Sequence, residues 1–211
     1  MTGTLRNKMT RFTIVATDAE NHVPRDRMRE GIESLNNQTF KDFELLIIHD
    51  GPREGSYDNE LDDVPENTGF INTEKHYGIY GLDQFYAGYG WGHHSRDLGI
   101  KQAAGEYILH FNIDNILYPE ALQKISDKID KTKADVVVFA CKHEKFDINY
   151  FSGVPPVMGK IDLLQCVVSK KAWQSIGGWH RYDHSADGFL FEEIISKYGY
   201  VHIPEVLGEN R

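Results

Sequence analysis

Cysteine is scarce: Cys141 and Cys166 are the only two among 211 residues. Two are too few to staple a secreted fold, and both lie in apolar runs, so they read as reduced core thiols of a cytosolic-type compartment. Long apolar runs are absent, and no stretch approaches the roughly 20 residues that a membrane helix requires. Met1 to Lys8 is short and polar without an apolar h-region, so no secretory signal and no membrane span are expected and the expected location is cytoplasmic. Positive charge is in deficit as well, with 23 Lys and Arg against 32 Asp and Glu for a net charge of -9. No run of Lys and Arg is long enough to make a local basic patch, which disfavours nucleic acid as a partner. Hydrophobic residues still make up 40% of the chain, enough for a buried core in one domain, and exclude wholesale disorder.

Several site signatures are missing too. The loop from Asp18 to Pro24 contains no glycine, which argues against a dinucleotide-binding site and against a phosphate-binding P-loop. His93, His94, His110, His143 and His202 show no H-x-x-x-H or H-E-x-x-H spacing, and no C-x-x-C pairs the cysteines, so structural zinc has no support. No G-x-S-x-G elbow favours Ser-His-Asp catalysis. An acidic chain that binds a phosphorylated small molecule must therefore reverse its local field with a metal ion, a helix N-terminus or a few placed arginines.

What is present is an alternation of strands and helices. Strands are predicted over 11–17, 43–49, 69–72, 106–112 and 135–140, and helices from Pro24 to about 36, over 95–104 and from Pro119 to about 129. The run FELLIIH at 43–49 is almost purely apolar, as a central parallel strand is. The last third is less regular, with an extended piece over 160–169, a short helix over 171–176, a Gly177-Gly178 break, a helix over 189–197 and a strand over 200–203. The expected fold class is α/β, a mostly parallel central sheet with helices on both faces. No linker splits the chain, although an ending soon after a strand suits one module of a longer polypeptide.

In an open parallel sheet, ligands bind beyond the carboxyl ends of the strands. Thr17 and Asp18, Asp50, and Asn112 to Asn115 fall there. Asp114 leaves the end of an apolar strand, where a divalent cation needs only one or two carboxylates, with water and phosphate oxygens completing its shell. Arg96 opens a helix that runs into the same strand and could reach an anion at the sheet edge. Other roles are open: Asp114 as a turn cap, and Arg96 paired with Asp97 or Glu106.

Four blocks in order resemble the family 2 inverting glycosyltransferases of the GT-A fold. They are Q-T-F-K-D-F-E-L-L-I-I-H-D-G, S-R-D-L-G-I-K-Q-A-A-G-E-Y-I, F-N-I-D-N-I-L-Y-P-E-A-L and I-G-G-W-H-R-Y-D-H-S-A-D-G, spanning most of Arg11 to Phe191. The resemblance implies a single GT-A domain over 1–211, with a nucleotide-sugar half over 11–116 and an acceptor-side half over 117–211. It implies transfer of a sugar from a nucleoside-diphosphate donor, favouring UDP, to a glycan or glycoprotein acceptor, with Mn²⁺ or Mg²⁺ as cofactor. Carried over by position, Thr17, Asp50, Arg96, Asn112 and Asp114 bind the nucleotide sugar, Asp114 also binds the metal, and Asp187 is the general base. Asn112, Asn115, Ala186 and His49 depart from the family pattern, each standing where an acidic residue is usual. They raise the alternative of a GT-A domain that binds sugar nucleotide or glycan without turnover.

Trp179, Tyr182 and His184 precede Asp187, and an aromatic wall there suits the apolar face of an acceptor sugar. Packing of the Gly-Gly turn against the core is the other role open to Trp179, and a helix N-cap the other role open to Asp187. The aromatic- and glycine-rich segment 77–91 suits a lid or a folded surface loop.

Overall fold

Two apolar runs, Phe12–Asp18 (β1) and Phe43–His49 (β2), lie side by side in the sheet, paired in parallel from Phe12 opposite Phe43 to Asp18 opposite His49. The structure is a computed structural model that describes residues 10–18, 23–52, 61, 63–77, 92–180 and 185–211. The other described strands are Thr68–Asn72 (β3), Tyr107–Asn112 (β4), Ile116–Leu117 (β5), Val136–His143 (β6), Ile148–Phe151 (β7), Cys166–Ser169 (β8) and Val201–Asn210 (β9). They assemble in the order β3-β2-β1-β4-β8-β6-β9-β5, with β7 paired to β6.

The architecture is α/β as expected. The parallel arrangement holds for β3-β2-β1-β4. Beyond β4 the sheet is mixed, because β8 runs antiparallel to both β4 and β6 while β9 is parallel to β6.

Helices cover both faces. Arg25–Asn36 (α1) and Ala121–Thr132 (α3) contribute Met28, Ile32, Leu35, Leu122, Ile125 and Ile129 to one buried cluster with Phe12, Ile14 and Ala16. His93–Gln102 (α2), Lys170–Ile176 (α4) and Ala186–Tyr198 (α5) pack on the other side with Val15, Ile48 and Ile108. Successive residues of a strand point to opposite faces. That parity puts Thr13, Val15 and Thr17 of β1, and Ile108, His110 and Asn112 of β4, on the α2 side.

The last strand runs well past the expected end at Ile203. Phe139 pairs with Ile203 and the next residue, Ala140, with Val206, so Pro204 and Glu205 are left out of the ladder. Proline has no amide hydrogen to donate, and a bulge lets the strand carry it. Among the described residues, no helix is long and apolar enough to cross a membrane.

Candidate functional site

Because α2 starts at the edge where the parallel strands end, its first turn faces their carboxyl ends. Arg96 lies in that turn and is only 4% exposed. Its Nη2 donates to Asn112 Oδ1 at 2.9 Å and lies 3.4 Å from Thr17 Oγ1, and its Nη1 lies 3.3 Å from His93 Nδ1. The two alternative partners are engaged elsewhere: Glu106 pairs with Arg11 at 2.7 Å, and Asp97 Oδ1 accepts the Trp179 amide at 3.1 Å. A permanently charged guanidinium held this deep is costly to desolvate, and its polar contacts with Thr17 and Asn112 offset part of that cost.

Asp50, 2% exposed, follows the end of β2 and accepts the Tyr77 amide through Oδ1 at 2.8 Å. Its backbone amide donates to Asp18 O at 2.9 Å, tying the ends of β1 and β2 together. His49, where the family pattern has an acid, is buried with Nδ1 3.1 Å from Gly51 O. Thr17, Asp50, Arg96 and Asn112 thus sit along one edge, with direct contacts joining Arg96 to Thr17 and Asn112.

Asn112 to Asn115 form a tight turn closed by Asn115 N donating to Asn112 O at 2.9 Å. Asp114, half-buried, rides on it. The turn is pressed against α1: a Cβ added to Gly31 would lie 2.0 Å from the Ile113 carbonyl oxygen. Gln38 fastens the following segment, donating to Tyr118 O at 2.9 Å and accepting the Leu122 amide at 3.1 Å. The Gln that opens the first resemblance block is therefore a buried bracket for the turn that bears Asp114. Asn115 is also structural, its Oδ1 accepting the Arg211 amide at 3.1 Å.

Among the described residues no group of three or more His, Cys, Asp and Glu gathers around a point. Asp114 still suits Mn²⁺ or Mg²⁺ in the mode in which one carboxylate suffices and phosphate oxygens complete the shell. Asn112 is a weaker candidate ligand, because its amide oxygen already accepts from Arg96.

Asp187 lies in the first turn of α5, half-buried, with Oδ1 accepting the Gly188 amide at 2.8 Å. The N-cap is Ser185, so Asp187 sits inside the helix rather than capping it. Ala186, beside it, is packed in the cluster with Trp179 and Leu190; a Glu there would have to bury its carboxylate in apolar surroundings. Trp179 is 3% exposed, stacked on His93 at 4.1 Å and packed near Trp173 and His110. Its ring closes the core, which is the packing role, and it offers no open face for an acceptor. Tyr182, His184 and most of the segment 77–91 lie outside the described residues.

A mixed sheet clad on both faces, with its polar residues at one strand edge, has the GT-A glycosyltransferase fold. Residues 88–185 match the model of the family described as Glycosyl transferase family 2. An uncharacterized glycosyltransferase of Rickettsia felis is 33% identical over 94 residues, covering 44% of this chain and 14% of that protein. A cholesterol galactosyltransferase of Borreliella burgdorferi is 28% identical over 107 residues, covering 50% of this chain and 26% of that protein. These alignments span well under two thirds of the length of the curated relatives.

Among solved structures, S. aureus TarS 1-349 in complex with UDP superposes with a TM-score of 0.67 at 15% identity, over 95% of this chain and 60% of that one. A mannosyltransferase of Pyrobaculum calidifontis in complex with GDP-Man and Mn²⁺ superposes with a TM-score of 0.66 at 12% identity, over 95% and 56%.

Proposed function

We propose that the protein is a divalent-ion-assisted, inverting glycosyltransferase that moves a sugar from a nucleoside-diphosphate donor, UDP-linked by preference, to a hydroxyl of a glycan or glycoprotein acceptor. The observation that carries this reading is the buried Arg96 guanidinium at the meeting of β1 and β4, between Thr17 and Asn112 and beside the turn of Asp114. UDP in one structural neighbour and GDP-Man with Mn²⁺ in another support a nucleotide-sugar donor and a divalent ion.

In this reading Asp50 and Thr17 hold the nucleoside, and Arg96 faces the diphosphate. Asp114 holds the ion, which when bound offsets the charge of the leaving diphosphate. The acceptor hydroxyl oxygen attacks the anomeric carbon from the face opposite the diphosphate. A carbon–oxygen bond forms as the bond to the diphosphate oxygen breaks and its electron pair departs with the nucleotide. The hydroxyl proton passes to the Asp187 carboxylate, the general base.

The test is release of nucleoside diphosphate from a panel of UDP- and GDP-sugars with Mn²⁺, with and without glycan acceptors. Acceptor-dependent release with inverted product stereochemistry is expected. One observation favours a second reading, a domain that binds donor without turnover: a neutral Asn112 stands at the Arg96 contact where the family pattern has an acid. Nucleotide binding with no release of product in that panel would decide for it.

A further inference from the structure

We propose that Asp97 is a positioning residue that locks the Gly177–Trp179 segment, and through it the first turn of α5, onto the helix that carries Arg96. Its Oδ1 accepts the Trp179 amide at 3.1 Å across 82 residues of sequence. The approach is close enough that a Cβ on Gly178 would lie 2.6 Å from Asp97 Oδ1, and Gly177 and Gly178 both take positive φ, 79° and 87°, where a side chain is strained. One residue turn away on the same helix, His93 stacks on the Trp179 ring at 4.1 Å. The segment is thus held twice, once by its backbone and once by its ring.

Trp179 passes that hold to α5, because its ring shares a buried cluster with Ala186 and Leu190 and lies beside Trp173, which meets Phe191. Those residues flank Asp187. The neighbouring residue on α2, Arg96, holds the other half of the site. A single helical turn therefore sets the distance between the group that faces the departing diphosphate and the group that takes the proton. Burial pushes the Asp97 carboxyl up from its ordinary value, while the Trp179 amide and Lys101 pull it down. The cost of placing a carboxylate there is offset by the bond it accepts.

The kinetic consequence rests on the function proposed above; the clamp itself does not. Asp97→Asn keeps an oxygen that can accept the Trp179 amide, and Asp97→Ala removes it. In Asp97→Ala, kcat is expected to fall about 10- to 100-fold, as for a displacement near 1 Å, with UDP affinity within about threefold of wild type. Asp97→Asn is expected to restore kcat to within about threefold. Amide hydrogen exchange of residues 177–180 and 185–191 should quicken in Asp97→Ala alone, with β1 and β2 unchanged. Should Asp97→Ala fail to fold, Gly178→Ala strikes the same contact from the other side and is expected to give the same pattern. Unchanged exchange across these residues, or UDP affinity falling as far as kcat, would overturn the proposal. A wild type that releases no nucleotide from any donor would instead overturn the function, and the exchange comparison would still decide whether the clamp exists.

Discussion

Arg96 and Asn112 meet at 2.9 Å where β1 and β4 end, a guanidinium donating to a neutral amide oxygen. The family pattern places a carboxylate at this position, so this chain carries one negative charge fewer beside the arginine. Changing Asn112 to Asp should draw Arg96 into an ion pair and weaken metal-free UDP binding by about three- to tenfold, with a greater stimulation by Mn²⁺. Arg96→Ala should weaken it further, by about 10- to 100-fold, from the loss of charge-assisted hydrogen bonds worth about 1.5–3 kcal/mol. Calorimetric titration of both variants with UDP, with and without Mn²⁺, measures the two effects.

Gly31 and the Ile113 carbonyl are the second close pair. Ala at an interior helix position gains about 1 kcal/mol over Gly. Here its Cβ would meet a backbone oxygen at 2.0 Å, which cannot swing aside as a side-chain end can. Overpacking of about 1–3 kcal/mol is expected to win. Gly31→Ala should therefore lower the urea midpoint and, by shifting the turn of Asp114, reduce metal-stimulated UDP binding. A urea midpoint equal to or above wild type would show that α1 moves away without penalty.

His110 gives the fold a pH dependence of definite sign. It is 0% exposed on the α2 face of β4, among Trp173, Trp179 and His93, and burial, with smaller effects from Arg96 and His93, holds its pKa well below the ordinary 6.5. Below pH 6.5 the unfolded chain takes a proton that the native chain refuses, so stability is full above 6.5 and falls as pH drops. The slope reaches about 1.4 kcal/mol per pH unit for this one group. His94 and His143, both lowered by burial, act in the same direction. Asp97 and Asp162, raised by burial, act oppositely, above the ordinary carboxylate value of 3.8, where the native chain holds protons more tightly. Urea midpoints measured from pH 7.5 to 5 should decline, and His110→Leu should flatten that decline.

Asp187→Asn should lower turnover by roughly 10²- to 10⁴-fold, the range general-base catalysis supplies, with donor affinity close to wild type. Parallel measurement of kcat and of UDP binding separates the two. Retained turnover would remove Asp187 from the base role, and lost UDP binding would place it on the donor side.

β2 is legible because its residues leave no alternative: FELLIIH at 43–49 has no turn former and forms the strand with those bounds. The placement of Thr17, Arg96 and Asn112 followed from strand ends and one helix start, and the structure brings the three into contact. β5 and β7 are not legible, since two residues in one and four half-buried or exposed ones in the other carry no period of their own and pair only because β9 and β6 are already there. Trp179 shows a subtler limit. Its sequence position beside a glycine pair and before Asp187 fits an acceptor wall or a core plug equally, and only the stacking on His93 separates them. The anchoring contact of Asp97 is not legible in the sequence, because its partner is a backbone amide 82 residues away, which no side-chain pattern announces.

Grip on the diphosphate is tested most directly by a crystal soaked with UDP and Mn²⁺, recorded at a wavelength where manganese scatters anomalously. A manganese peak bound to the Asp114 carboxylate and to the diphosphate, with Arg96 facing the phosphates, is the expected result. A nucleotide bound with manganese remote from Asp114, or seated away from the Thr17–Asp50–Arg96 edge, would contradict it.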